Sequence, residues 1–194
     1  MAAAAGPQRG AGMAEPTTID LAKIKASHEE RAAKIRAEDP HARIVTRATV
    51  RTVGNLLKEA RVGQFTFQSD EAAMLGGDGQ APNPLAYLVA SIGFCLLTQL
   101  TRACALEDIP VESMSMDVRA SFPLEKKYGI SDVSAACEGV TYTLDVVGDV
   151  DPDRLREALD WAESVCHVVR SLKEPVPVEM KLKLNGADVE GVEA

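Results

Sequence analysis

The longest apolar stretch of the chain runs from Pro84 to Leu106. Leu85, Leu88, Val89, Ile92, Leu96, Leu97 and Leu100 recur there with few polar positions between them. This pattern predicts a helix buried on most sides, and therefore the centre of the core. Asn83 is a favoured N-cap type and Pro84 a favoured first helical residue. A second helix is expected over 152–172, capped by Asp151 and opened by Pro152, with Leu155, Leu159, Ala162, Cys166, Val169 and Leu172 on one stripe. A third is expected over 17–38, capped by Thr17 or Thr18 and stopped by Asp39-Pro40. Its stripe of Ile19, Leu21, Ile24 and Ile35 is thin, which suits loose packing on the body or on a second subunit.

Strand patterns fill most of the remainder. Residues 43–53 are β-branched and mixed with arginines, Gly54-Asn55 is a turn signal, and strands at 56–61 and in QFTFQSD complete a meander around Gly63. Residues 111–122, 138–147 and 176–184 alternate apolar with polar positions, the signature of antiparallel strands with one wet face. The strands come in hairpin-like groups between helices, so the expected class is α+β. The chain divides into an extension without fixed structure (1–16), an N-terminal helix (17–40), one main domain (41–186) and an acidic tail (187–194).

Charge and composition narrow the function classes. The formal net charge is −8, which argues against nucleic-acid binding. Residues 1–63 carry 11 Lys/Arg against 7 Asp/Glu, whereas residues 64–194 carry 10 against 22. The basic end could contact an acidic body, or simply be a solvated helix. No unbroken apolar run reaches the roughly 18 residues of a membrane span. The Ala- and Gly-rich start lacks the charged-then-apolar layout of a signal peptide. The expected compartment is reducing cytosol, where a disulfide is more often transient and catalytic than structural. Gly76-Gly77-Asp78-Gly79 is not followed by a Gly-Lys-Ser/Thr, so it is no phosphate-binding loop.

The candidate chemistry is a thiol pair. Cys95 and Cys166 each lie on the apolar face of a helical segment. Two readings stand side by side: small core residues, or a couple cycling between dithiol and disulfide.

GGDGQAPNPLAYLVASIGFC leads a Gly-rich loop and an Asn-Pro into the first cysteine, and AESVCHVVRSLKEPVPVEMKL leads the second into a final strand. Together, at this spacing, these words resemble the OsmC/Ohr family of osmotically inducible and organic-hydroperoxide-resistance proteins over roughly residues 42–186. The resemblance implies antiparallel sheets wrapped around a long buried helix, in an intertwined homodimer with active sites at the subunit interface. It implies a thiol-dependent peroxidase that reduces organic hydroperoxides, with a lipoyl-type or other dithiol as reductant and no metal or organic cofactor. Cys95 matches the peroxidatic cysteine and Cys166 the resolving one.

This chain departs from the family in its activating pair. The family's arginine, from the early strand–turn region, is held by a glutamate after the Asn-Pro, where this chain has Leu85 and Ala86. Arg47 and Arg51, placed on one face of the first strand, are candidates to stabilise the Cys95 thiolate, or are a solvated strand face. Asp70 and Glu71 are candidates to replace the acid. His167 could tune Cys166 or face solvent, and Cys104 reads as core. The alternative to a peroxidase is an OsmC-like binding, structural or redox-sensing protein with little turnover.

Overall fold

The computed structural model describes Met13 and residues 18–191. The expectations for the rest of 1–17 fall outside the described residues. The chain forms α1 (Leu21–Glu38), β1 (Thr49–Thr52), β2 (Lys58–Val62), β3 (Phe65–Ser69), α2 (Pro84–Leu106), β4 (Val111–Ser121), β5 (Gly139–Gly148), α3 (Pro152–Val165), α4 (His167–Lys173), β6 (Leu182–Leu184) and β7 (Ala187–Val189).

Local chemistry sets the helix starts. Asn83 Oδ1 accepts from the Ala86 amide at 2.9 Å, and Pro84 opens α2 without needing a hydrogen bond of its own. Asp151 caps α3 through the amides of Asp153 and Arg154. At α1 the cap is Asp20, whose carboxylate accepts from Lys23 at 2.9 Å, rather than Thr17 or Thr18. The helix therefore begins at Leu21 and stops before Asp39-Pro40 as expected. It packs on α2, and Lys25 reaches Asp108 at 2.7 Å, one contact between the basic end and the acidic body.

The core forms where α2, α3 and the β4–β5 hairpin meet. Ile92, Leu96, Leu100, Ala103, Cys104, Ala158, Ala162, Cys166 and Val169 are buried together, and Met116, Val118, Tyr142 and Leu144 close over them. Ala158 and Ala162 are small, which lets α3 approach α2 closely. The first half of α2 is different: Leu85 is exposed and Phe94 is 73% exposed. The expectation of a helix buried on most sides thus holds in one protomer only for its second half. Over an 18-residue window α2 has a mean hydropathy of 1.5 and could by length and composition cross a membrane. A search for unbroken apolar runs misses this because Ser91, Thr98 and Gln99 interrupt the segment. In the fold, α2 packs on β4, α3 and α4.

Three antiparallel sheets result: β1-β2-β3, β4-β5 and β6-β7. The β4–β5 ladder pairs Met116 with Leu144 and Val118 with Tyr142, as the alternation predicts. Two strand expectations shorten. Within 43–53 only Thr49–Thr52 pairs, because β2 has five residues and nothing lies opposite 43–48. Within 176–184 only Leu182–Leu184 pairs, with β7, so part of the segment read as an acidic tail is a strand. Backbone amides without a neighbouring chain cannot form a ladder, whatever the side chains favour. The helix expected over 152–172 breaks at Cys166, which has φ −75 and ψ 105.

Candidate thiol site

The loop that delivers the chain to α2 is organised by Asp70. This buried carboxylate accepts from the amides of Glu71, Asp78 and Gln80 at 2.9, 3.1 and 3.1 Å. The Gln80 amide contributes most to holding its carboxyl below the usual carboxylate range, against the opposing effect of desolvation. Gly77 is required beside it, since a Cβ there would lie 2.0 Å from the Glu71 carbonyl oxygen. Asp70 therefore serves the loop backbone, with the Glu71 amide as one of its donors, and is not free to act as a replacement acid.

Cys95 lies about eleven residues into α2, roughly 16 Å from the helix start, beyond useful reach of the helix dipole. It is half-buried beside Leu96, whose side chain is sealed in the core. Cys166 is fully buried at the corner between α3 and α4. The break is what makes this cysteine distinctive. It ends α3 and precedes the first residue of α4, near enough to the amides of Val169 and Val168 for them to favour its thiolate.

The two thiols pack into the same core cluster, near enough for Cys95 to influence the ionisation of Cys166. Burial pushes the Cys166 thiol up. The Val169 amide opposes that, the hydrogen bond and charge of Cys95 push it up again, and the Val168 amide opposes. Cys166 therefore stays protonated near neutrality. Two thiols on separate helices can be oxidised to a disulfide where their Cβ atoms come within about 4.5 Å.

The other candidates fall elsewhere. Arg51, on β1, pairs with Glu59 across the sheet at 2.6 Å. Arg47 lies in the unpaired stretch before β1, so the two do not share a strand face. Neither is among the groups that shift Cys166. His167 is exposed and makes no hydrogen bond among the described residues. Cys104 is core, with burial pushing its thiol up, and Cys137 donates to the Gly139 carbonyl at 3.4 Å.

Two groups escaped the sequence reading. Arg102, seven residues after Cys95 on the same face of α2, donates to the nearly buried Gln99 at 3.1 Å. Glu163, three residues before Cys166, accepts from Tyr142 on β5 and pairs with Lys173 at 3.0 Å. The i+4 and i+7 spacing was a signal for the first. Nothing in the spacing signalled the second, because it depends on the corner.

Structure and site together define an α+β protein with two thiols brought into one core cluster by packed helices. The family model for OsmC-like proteins matches residues 77–181, which include both cysteines, and the chain belongs to that family. Solved structures agree in fold. An OsmC-like protein from Mycoplasma pneumoniae superposes with a TM-score of 0.60 at 15% identity, covering 68% of this chain and 89% of that one. An organic hydroperoxide resistance protein OsmC from Legionella pneumophila gives 0.54 at 18% identity, covering 68% and 91%. An organic hydroperoxide resistance protein from Elizabethkingia anophelis gives 0.54 at 16%, covering 68% and 89%. No curated protein matches the chain in sequence.

Proposed function

We propose that the protein is a thiol-dependent peroxidase that reduces organic hydroperoxides through Cys95 and Cys166. The observation that carries this reading is the convergence of half-buried Cys95 and buried Cys166 in one core cluster, near enough for one thiol to shift the other. The Cys95 thiolate attacks the outer peroxide oxygen, the O–O bond breaks, and the alcohol leaves with a proton while Cys95 becomes a sulfenic acid. The Cys166 sulfur then attacks the sulfenic sulfur, and its proton departs with the hydroxyl as water, leaving the disulfide. The amides of Val168 and Val169 stabilise the charge developing on Cys166 during this step. A dithiol such as dihydrolipoate restores both thiols by exchange. That reductant fits a reducing, cytosol-like compartment.

The test treats reduced protein with one equivalent of cumene hydroperoxide and maps the product by peptide mass spectrometry. The expected product is one Cys95–Cys166 disulfide, and catalytic peroxide loss once dihydrolipoate is added. No such disulfide would remove the reading. A disulfide without turnover would favour the redox-sensing alternative, which is supported by Leu85 and Ala86 standing where an activating glutamate is expected.

The reading includes a homodimer. The β1–β3 sheet meets the rest of its own protomer chiefly through Phe67 against the Tyr87 ring and the Tyr87 hydroxyl on the Gln68 carbonyl, leaving Val50 and Phe65 exposed. A three-stranded sheet without a covered face is not independently stable. The extended stretches around Val45 and Val178, which are 90% and 77% exposed, are likewise unpaired. An apolar groove of about 940 Å³ between α2 and β4, lined by Leu85, Val89, Phe94, Leu97 and Met116, also stands open. A second copy would cover all three and bring an arginine-bearing β1 toward the neighbouring thiols. Sedimentation should report twice the chain mass of 20.7 kDa; a monomer at micromolar concentration would count against it.

A further inference from the structure

The α3–α4 corner is weakly held by its own backbone. The helix ladder is interrupted at Cys166, whose amide reaches the Glu163 carbonyl at a long 3.4 Å. Strong closure resumes only with the Arg170 amide on the Cys166 carbonyl at 2.8 Å. Bridging the corner is the Glu163 side chain. One carboxylate oxygen accepts from the half-buried Tyr142 hydroxyl on β5, and the other pairs at 3.0 Å with Lys173, the last residue of α4. A single carboxylate thus ties the end of α3 to the far end of α4 and to the sheet beneath, and along the chain Cys166 lies between Glu163 and Lys173.

We propose that Glu163, acting with Tyr142 and Lys173, is a positioning residue that holds Cys166 in register for bonding to Cys95. It rests on the dithiol–disulfide role proposed above. A disulfide tolerates little error in Cβ separation and torsion, and misplacement of about 1 Å at a reacting group can cost on the order of a hundredfold in rate. Glu163→Gln removes the charge that pairs with Lys173, and Lys173→Met removes the other partner; both leave Cys166 and its amide donors in place.

Two measurements test the proposal on the full chain. The first equilibrates wild type and variants in glutathione buffers and measures the fraction of Cys95–Cys166 disulfide, with oxidised glutathione accepting the two electrons and becoming two reduced glutathiones. This arm needs no peroxide, so it remains decisive even if the peroxidase reading fails. The expected result is an equilibrium constant about tenfold less favourable to the disulfide in Glu163→Gln and Lys173→Met. The second follows one hydroperoxide turnover by stopped flow. Cys95 sulfenate should form within about twofold of the wild-type rate, disulfide should follow about tenfold more slowly, and dimedone should trap correspondingly more sulfenate. Arg156→Gln, which breaks the Arg156–Asp153 pair at the opposite end of α3, should change neither quantity. The charge-reversed pair Glu163→Lys with Lys173→Glu should recover part of the loss. Unchanged glutathione equilibria in both single variants, or an equal change in Arg156→Gln, would overturn the assignment.

Discussion

Cys95→Ser is expected to lower kcat/KM for cumene hydroperoxide by at least about a thousandfold, equivalent to about 4 kcal/mol of transition-state stabilisation. The reason is the nucleophile. A thiol ionises near neutrality and its anion attacks oxygen readily, whereas a serine hydroxyl stays protonated and has no base beside it. Cys166→Ser should behave differently. The first turnover should survive, because attack on peroxide uses only Cys95, but the sulfenate should persist and be captured by dimedone. Its steady-state rate should fall by about tenfold or more, the residue depending on how well an external dithiol reaches a half-buried sulfur. Cys104→Ser and Cys137→Ser serve as controls. One thiol is sealed in the core and the other is tied to a loop carbonyl. Activity is read as NADH-coupled dithiol consumption. Retention of more than a tenth of wild-type turnover by the Cys95 variant would mean that another group carries the chemistry.

Leu100→Ala should be the most damaging simple truncation in the core. Leu100 is 0% exposed on the buried face of α2, one turn beyond Leu96 and close to Ala103 and Cys104. Removing its branched end forfeits transfer energy and leaves a hole that the packed helices cannot wholly close, at a cost of about 3–4 kcal/mol. Against a total stability on the order of 5–15 kcal/mol, that loss should lower Tm by about 6–16 °C. Because α2 also carries Cys95, the glutathione equilibrium of the thiol pair should weaken with it. A fall in Tm of under about 2 °C would show that the helix is not gripped at this point in the way the packing indicates.

The proposed chemistry and the core thus share one helix, and their features were unequally legible in the sequence. The start of α2 was legible because the Asn83 side chain and the Pro84 ring act on amides three residues away or nearer. The same holds for Asp151 and Pro152 at α3. The long β4–β5 ladder was legible because one buried face and one wet face impose a period of two over ten or more residues. Both cysteines were placed on helical segments, though as members of uninterrupted helices. The stripe through Ala162, Cys166 and Val169 continues across the break with helical spacing, so periodicity could not reveal that the backbone turns at Cys166. Residues 43–48 and 175–181 have strand composition but no strand, since pairing depends on a neighbour that side-chain preference does not supply.

What the residues by themselves determined is everything carried by short-range forces: caps, the alternating ladder, the apolar run of α2, and two thiols placed on apolar faces. What only the folded chain decided is everything requiring distant segments to meet. The convergence of Cys95 and Cys166 on one core cluster, the loss of Arg51 to Glu59, the consumption of Asp70 by a loop, and the tie from Glu163 to Tyr142 and Lys173 all belong to that second set. Hydrogen bonds and thiol contacts act over about 3–4 Å, and sequence separation alone says nothing about which groups will come within that distance.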